Sequence, residues 1–231
     1  MMTSLLSDRR AIAGFGALLL CLAARSAVAQ APSKTGPPIR VAILLYDGVQ
    51  VLDVAGPLEV LTSASMEQKA FDVYAVAEKL RPIRANNAGT VYVPRYTLAT
   101  APAPQILIVS GGDTAAAESN PRLVEWIRKT SQRTELTASV CTGAFLLAKA
   151  GLLTGKPATT HWYFLDRLAK EFPSVEVRRE GRYVEAGNVL TSAGISAGID
   201  MALHIVERYR GREAAVSTAR IMQYESPDWK R

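Results

Sequence analysis

From position 39 onward the chain alternates compact apolar runs with longer segments of helical periodicity. Residues 39–46, 71–77 and 106–109 are dominated by Ile, Val, Leu, Ala and aromatic side chains. Asp47-Gly48 bounds the first of them and Ser110-Gly111-Gly112-Asp113 the third. Runs this short and this apolar predict strands, those at 39–46 and 106–109 being buried on both faces of a parallel sheet. A further short apolar strand ends at Cys141 and runs through a sharp turn into a helix. Helices are predicted from Pro57, placed in the first turn, to about 66, then over 121–132, 162–172, 195–209 and 213–222. Residues 83–98 and 174–192 read as β-rich excursions, with Asn86-Asn87 and Gly89 as turn signals in the first. Strands alternating with helices imply an α/β fold: a three-layer sandwich with a mostly parallel sheet and helices on both faces. In such sheets ligands sit beyond the carboxyl ends of the strands, where Asp53, Gly111-Gly112 and Cys141 all fall.

The first 38 residues follow a different pattern. A basic stretch carrying Arg9-Arg10 precedes an apolar run over 11–24, and Ala27-Val-Ala29 offers small side chains at a cleavage position. The run is too short to span a bilayer comfortably, and the three parts together predict an export signal over residues 1–29, with an uncleaved anchor as the alternative. The arginine pair is compatible with twin-arginine as well as general export. Leu20 before Cys21 argues against lipid attachment there. Residues 30–38 form a Pro-rich linker, and the folded domain is expected over 39–231. The mature protein is then expected in the periplasm or outside the cell, with no membrane association.

Removal of the signal takes away three arginines and one aspartate and brings the formal charge from +6 to +4. No basic stripe with interleaved aromatics accompanies that excess, so no nucleic-acid partner is expected. Two histidines and one remaining cysteine give no metal-ligand spacing, and no cofactor motif is present. A lone thiol in an oxidising compartment is a liability unless it is used or deeply buried.

Cys141 is therefore the first candidate for chemistry. At a strand-to-helix turn its sulfur faces helix N-terminal amides, which favours the thiolate. Thr142 follows it, with an amide suited to an oxyanion and a hydroxyl in reach of the sulfur. Gly112 ends its strand without a side chain and is the second expected oxyanion donor. Asp53, among Val51, Leu52, Val54 and Ala55, is expected to be desolvated and to carry a proton. Glu59 is the competing acid. His161 is placed to serve as base or orienting group for the thiol, whereas His204, in an apolar helix, reads as a buried structural residue. Each of these has a plainer reading too: a helix cap for Thr142, a tight turn for Gly112, a turn carboxylate for Asp53, a structural imidazole for His161.

Taken together, Tyr46-Asp-Gly-Val-Gln-Val-Leu-Asp53-Val-Ala-Gly-Pro57, Val109-Ser-Gly-Gly112, Ser139-Val-Cys141-Thr-Gly143, Ala158-Thr-Thr-His161-Trp162 and the stretch from Thr191 to Asp200 resemble the ThiJ/PfpI superfamily. The resemblance covers about residues 39–225 and implies a flavodoxin-like fold similar to class I glutamine amidotransferase domains. Within that superfamily the chain is most similar to the isonitrile hydratase branch and to the ligand-sensing domains of AraC-type regulators. The hydratase pattern implies Cys141 as nucleophile, Asp53 as acid and Thr142 in support, no cofactor, and a homodimer. Regulator relatives carry a C-terminal DNA-binding domain, and the sequence ends at Arg231 without one. Hydratase relatives are usually cytoplasmic, whereas this chain carries an export pattern. The function expected from residues and resemblance is an exported enzyme whose cysteine hydrates or hydrolyses a small electrophile, isonitrile to N-substituted formamide. A non-catalytic small-molecule-binding or redox-responsive protein is the alternative, with a peptidase as a distant third.

Overall fold

The computed structural model describes residues 36–66, 69–86 and 89–226. The expected export segment, with Arg9, Arg10 and Cys21, and linker residues 30–35 lie outside them. No described helix is long and apolar enough to cross a membrane.

Eleven strands and seven helices are described: β1 (Ile39–Leu44), α1 (Val51–Ser63), β2 (Phe71–Ala77), β3 (Ile83–Arg84), β4 (Val91–Tyr92), β5 (Tyr96–Thr97), β6 (Ile106–Val109), α2 (Ala115–Glu118), α3 (Pro121–Ser131), β7 (Leu136–Val140), α4 (Gly143–Lys149), β8 (Pro157–Ala158), α5 (Leu165–Glu171), β9 (Glu176–Val177), β10 (Tyr183–Ala186), β11 (Val189–Ser192), α6 (Ala197–Arg210) and α7 (Arg212–Ile221). A 3₁₀ turn, Trp162–Phe164, leads into α5. Seven strands form one sheet in the order β10-β11-β7-β6-β1-β2-β5. Every neighbouring pair is parallel except β10 with β11. β6 and β7 are buried along their whole length, as apolar central strands of a parallel sheet must be.

Helices α1, α6 and α7 pack together, and α2, α3 and α4 form a second group. From β1 the chain crosses through α1 to β2 on one side; from β6 it crosses through α3 to β7 on the other. Right-handed crossovers in opposite directions put the two helix groups on opposite faces. The direction reverses between β1 and β6, and this is where a doubly wound sheet opens a crevice. Helix α1 follows β1, the loop 110–114 follows β6, and Cys141 follows β7. The three converge at that edge.

Two local readings need correction. Pro57 lies inside α1 rather than in its first turn, because the helix begins at Val51. Proline has no N–H for the carbonyl four residues back, that of Asp53. The Ser110 hydroxyl donates to that carbonyl at 3.4 Å instead, so the helix passes through the proline and carries Asp53 in its first turn. The four-residue α2 had no visible period in the sequence; it is built on the loop after β6, where the Glu118 amide donates to the Thr114 carbonyl at 2.7 Å.

Candidate active site

Cys141 sits one residue beyond β7 with φ of 57°, in the left-handed region. A non-glycine residue held there costs about 1–3 kcal/mol, so its surroundings must over-determine it. They do. Its amide is shared between the carbonyls of Ser192 at 3.1 Å and Ala193 at 3.3 Å. Its carbonyl accepts the Thr160 hydroxyl at 2.8 Å. The bend turns the sulfur away from the sheet and into a cleft of about 370 Å³ walled by Gln50, Gly112, Asp113, His161, Phe164 and Arg167. A smaller cavity of about 200 Å³ beside Tyr46, Asp47 and Arg81 includes neither Cys141 nor Asp53.

The ionisation of the thiol differs from the expectation. Burial first, and the Asp53 carboxyl second, push Cys141 from its ordinary 9.0 up to about 12. The Thr142 amide and hydroxyl act in the opposite direction and are outweighed. Burial desolvates the thiolate more than the amide and hydroxyl of Thr142 compensate. The resting sulfur is therefore a protonated thiol.

Asp53 is fully buried in the first turn of α1. Burial raises its carboxyl to about 7, against the Gly111 amide and the Cys141 thiol, which both favour the charged form. Gly111 donates to Oδ2 at 3.2 Å. Oδ1 has no hydrogen-bond partner among the described residues, and the carboxyl and the Cys141 thiol interact side chain to side chain. A carboxyl poised near neutrality beside a buried thiol can exchange a proton with it. The two titrate as a coupled pair.

Thr142 and Gly112 form a closed pair. The Thr142 hydroxyl accepts the Gly112 amide at 2.8 Å and donates to the Gly112 carbonyl at 2.8 Å. The Gly112 amide is thus already engaged in this geometry, and the residue braces Thr142 rather than offering an open oxyanion donor. Its backbone has φ of 130°, and a Cβ there would lie 2.1 Å from the Gly48 carbonyl oxygen. Only glycine lets the loop after β6 dock so closely on residues 48–50. The Thr142 amide remains the donor directed at the sulfur.

His161 is beside the sulfur. A single point, where Gly194 would carry a Cβ, lies 2.4 Å from His161 Cδ2 and 2.7 Å from Cys141 Sγ. Burial lowers the pKa of the imidazole, and Nδ1 accepts the Tyr163 amide at 3.3 Å. A neutral ring that accepts at Nδ1 carries its proton on Nε2. His161 is therefore arranged to donate, which suits orientation and suits a general base poorly. Glu59 is exposed and accepts from Ser63 at 3.2 Å, away from the cleft. His204 is half-buried rather than part of the core: it bonds Glu185 at 2.6 Å and stacks on Tyr183.

Several contributors had no individual place in the sequence reading. Thr160 and Gly194 lie inside motifs already noted, at a strand end and beside a glycine-bearing loop, and those positions were the available signal. Tyr46 donates to the Ser110 carbonyl at 2.7 Å and anchors the loop after β6. Arg167 lines the cleft, bonded to Glu118 at 3.0 Å and to Glu171 at 2.8 Å. Among the described residues no group of His, Cys, Asp and Glu could hold a metal.

Comparison with known proteins agrees with this fold. Isonitrile hydratase of Pseudomonas putida is 34% identical over 188 residues, covering 81% of this chain and 77% of that protein. The transcriptional regulator GbdR of Pseudomonas aeruginosa is 27% identical over 196 residues, covering 84% of this chain but only 53% of that protein. A crystal structure of a ThiJ/PfpI family protein from Pseudomonas syringae superposes with a TM-score of 0.74 at 32% identity, covering 87% of this chain and 85% of the other. Drosophila melanogaster DJ-1beta shares the fold at a TM-score of 0.73 and 19% identity. Residues 39–208, most of the chain, match the DJ-1/PfpI family as a whole, and the protein belongs to that family.

Proposed function

We propose that the protein is an exported enzyme that adds the Cys141 thiol to a small electrophile, hydrating an isonitrile to an N-substituted formamide. The observation that carries this reading is the Asp53–Cys141 pair: a carboxyl with a pKa near 7 against a buried thiol at the wall of a cleft. The similarity to isonitrile hydratase supports the substrate class.

In the first step the sulfur bonds to the terminal carbon of the isonitrile. Asp53 takes the thiol proton as the S–C bond forms and delivers it to that carbon, leaving a thioimidate. Water then adds to the same carbon, one of its protons going to nitrogen. The C–S bond breaks, the thiol recovers a proton, and the formamide leaves. Splitting the hydration into two covalent steps lowers the barrier to each. Proton exchange with Asp53 removes the need for a resting thiolate. The Thr142 amide stabilises charge on the sulfur, and His161 Nε2–H is available to the substrate nitrogen.

The redox-responsive alternative needs an accessible, low-pKa thiol. Burial and the pKa of about 12 disfavour it. Turnover of an aromatic isonitrile decides the matter: wild-type protein should release the formamide with oxygen from labelled water, and Cys141→Ala should not. Equal, slow conversion by both would remove this substrate class. Export and pairing are tested separately. Mature protein should begin at Gln30 in the periplasmic fraction, and sedimentation should give twice the chain mass.

A further inference from the structure

We propose that Arg182 and Asp200 form a strut that presses the loop 193–196 onto the Cys141 sulfur, making Arg182, Ser196 and Asp200 positioning residues for the nucleophile. Asp200 is fully buried in the first turn of α6. One carboxylate oxygen pairs with Arg182 Nε, and the other accepts the Tyr224 hydroxyl at 3.1 Å. Arg182 grips the loop at both ends: its carbonyl accepts the Ala193 amide at 2.8 Å, and Nη2 donates to Ser196 Oγ at 2.9 Å. Between those ends lie Gly194, against the sulfur and the His161 ring, and Ile195, in the wall of the cleft. The Ala193 carbonyl also receives the Cys141 amide. Every displacement of the loop is thus a displacement of the nucleophile.

Two further observations separate this role from simple stabilisation. Ser196 stands at the N-cap of α6, where its hydroxyl would ordinarily accept a helix amide, yet it makes no such bond. It is engaged by Arg182 instead, so the usual capping contribution is forgone. An ion pair with its carboxylate fully buried and its arginine partly exposed is also a weak source of stability, since desolvation of the carboxylate offsets much of the attraction. Both features make sense if the geometry of the loop is what the pair secures.

The test reads the sulfur directly and does not depend on isonitrile turnover, so it stands or falls apart from the proposed reaction. Iodoacetamide is applied to the full chain, and alkylation of the Cys141 peptide is followed by mass spectrometry from pH 6 to 10. Asp53 and Tyr46, whose charges interact with that of the thiol, and His161, beside the sulfur, are unchanged in every variant. Ser196→Ala releases one end of the loop while leaving the Arg182–Asp200 pair intact. Its alkylation rate at pH 8 should rise about threefold, and that of Arg182→Met about tenfold, the change in thiolate that one unit of pKa produces. Ser196→Thr, which restores a hydroxyl, should return the rate to near wild type. Wild-type rates and pH profiles in both Ser196→Ala and Arg182→Met, with only a lower Tm in the latter, would overturn the proposal. If Arg182→Met does not fold, the two Ser196 variants decide alone.

Discussion

The Thr160 hydroxyl donates to the Cys141 carbonyl at 2.8 Å, and so holds from behind the residue whose backbone is bent into the left-handed region. Thr160 is itself buried, so the carbonyl would find no water in its place. Thr160→Val keeps the shape and removes the donor. The carbonyl then keeps only the long bond from the Ala144 amide at 3.4 Å, and the loss should cost about 1 kcal/mol, visible as a lower urea midpoint at unchanged m. The bend should also relax, and turnover should fall further than stability does. Thr160→Ser keeps the donor and should retain most of both.

Asp53 sets the pH dependence. Its carboxyl has an ordinary value of 3.8 and a folded value of about 7. Between those two values the folded protein keeps a proton that the unfolded chain has released. The contribution of this residue to stability is therefore greatest below about 4, falls as pH rises toward 7, and is level above that. The full change is on the order of 4 kcal/mol. Asp53→Asn should flatten that slope in denaturant titrations at successive pH values. Turnover should run the other way: the carboxylate form must accept the thiol proton, so the rate should rise with pH through about 7 and stay high until the thiol itself ionises.

The contrast between what the sequence disclosed and what it did not has a physical basis. Short Ile- and Val-rich runs announce central strands because burial on both faces leaves no room for polar residues, and this placed β1, β6 and β7 and the turn at Cys141. The placement of Asp53 beside that turn followed from strand alternation. The ionisation of Cys141 did not, because it depends on how many atoms surround the sulfur, and that number is a property of the folded crevice. The Gly112 amide looked open in sequence. Its partner, the Thr142 hydroxyl, is thirty residues away and meets it only once β6 and β7 are paired. Pro57 misled for a similar reason: the donor that replaces its missing N–H belongs to Ser110, on another strand's loop.

Gly194→Ala should disable the site without unfolding the protein. The added methyl would stand 2.4 Å from His161 Cδ2 and 2.7 Å from Cys141 Sγ, well inside contact distance for both. Relief requires the imidazole or the loop to move by about an ångström, a misplacement that costs on the order of 100-fold in rate. Turnover should fall by that order while thermal unfolding shifts by only a few degrees. Unchanged turnover would mean that the sulfur and the ring are not held by this loop.

Thr142 gives the last prediction, because its hydroxyl both accepts from and donates to Gly112 at 2.8 Å. Thr142→Val is close in volume and abolishes both bonds. The Gly112 amide and carbonyl are then left without that partner in a part-buried position, at about 1–3 kcal/mol. The loop after β6, which also supplies the Gly111 amide to Asp53 at 3.2 Å, loses its tie to the cysteine turn. Weakening that amide bond removes a stabilising contact from the Asp53 carboxylate, so the carboxyl pKa should move further up. Thr142→Val should therefore shift the midpoint of the pH–rate profile to higher pH as well as lower the plateau. Thr142→Ser, which keeps the hydroxyl, should restore the midpoint. A lower plateau with the midpoint unmoved would confine Thr142 to its direct contact with the sulfur and leave Asp53 independent of it.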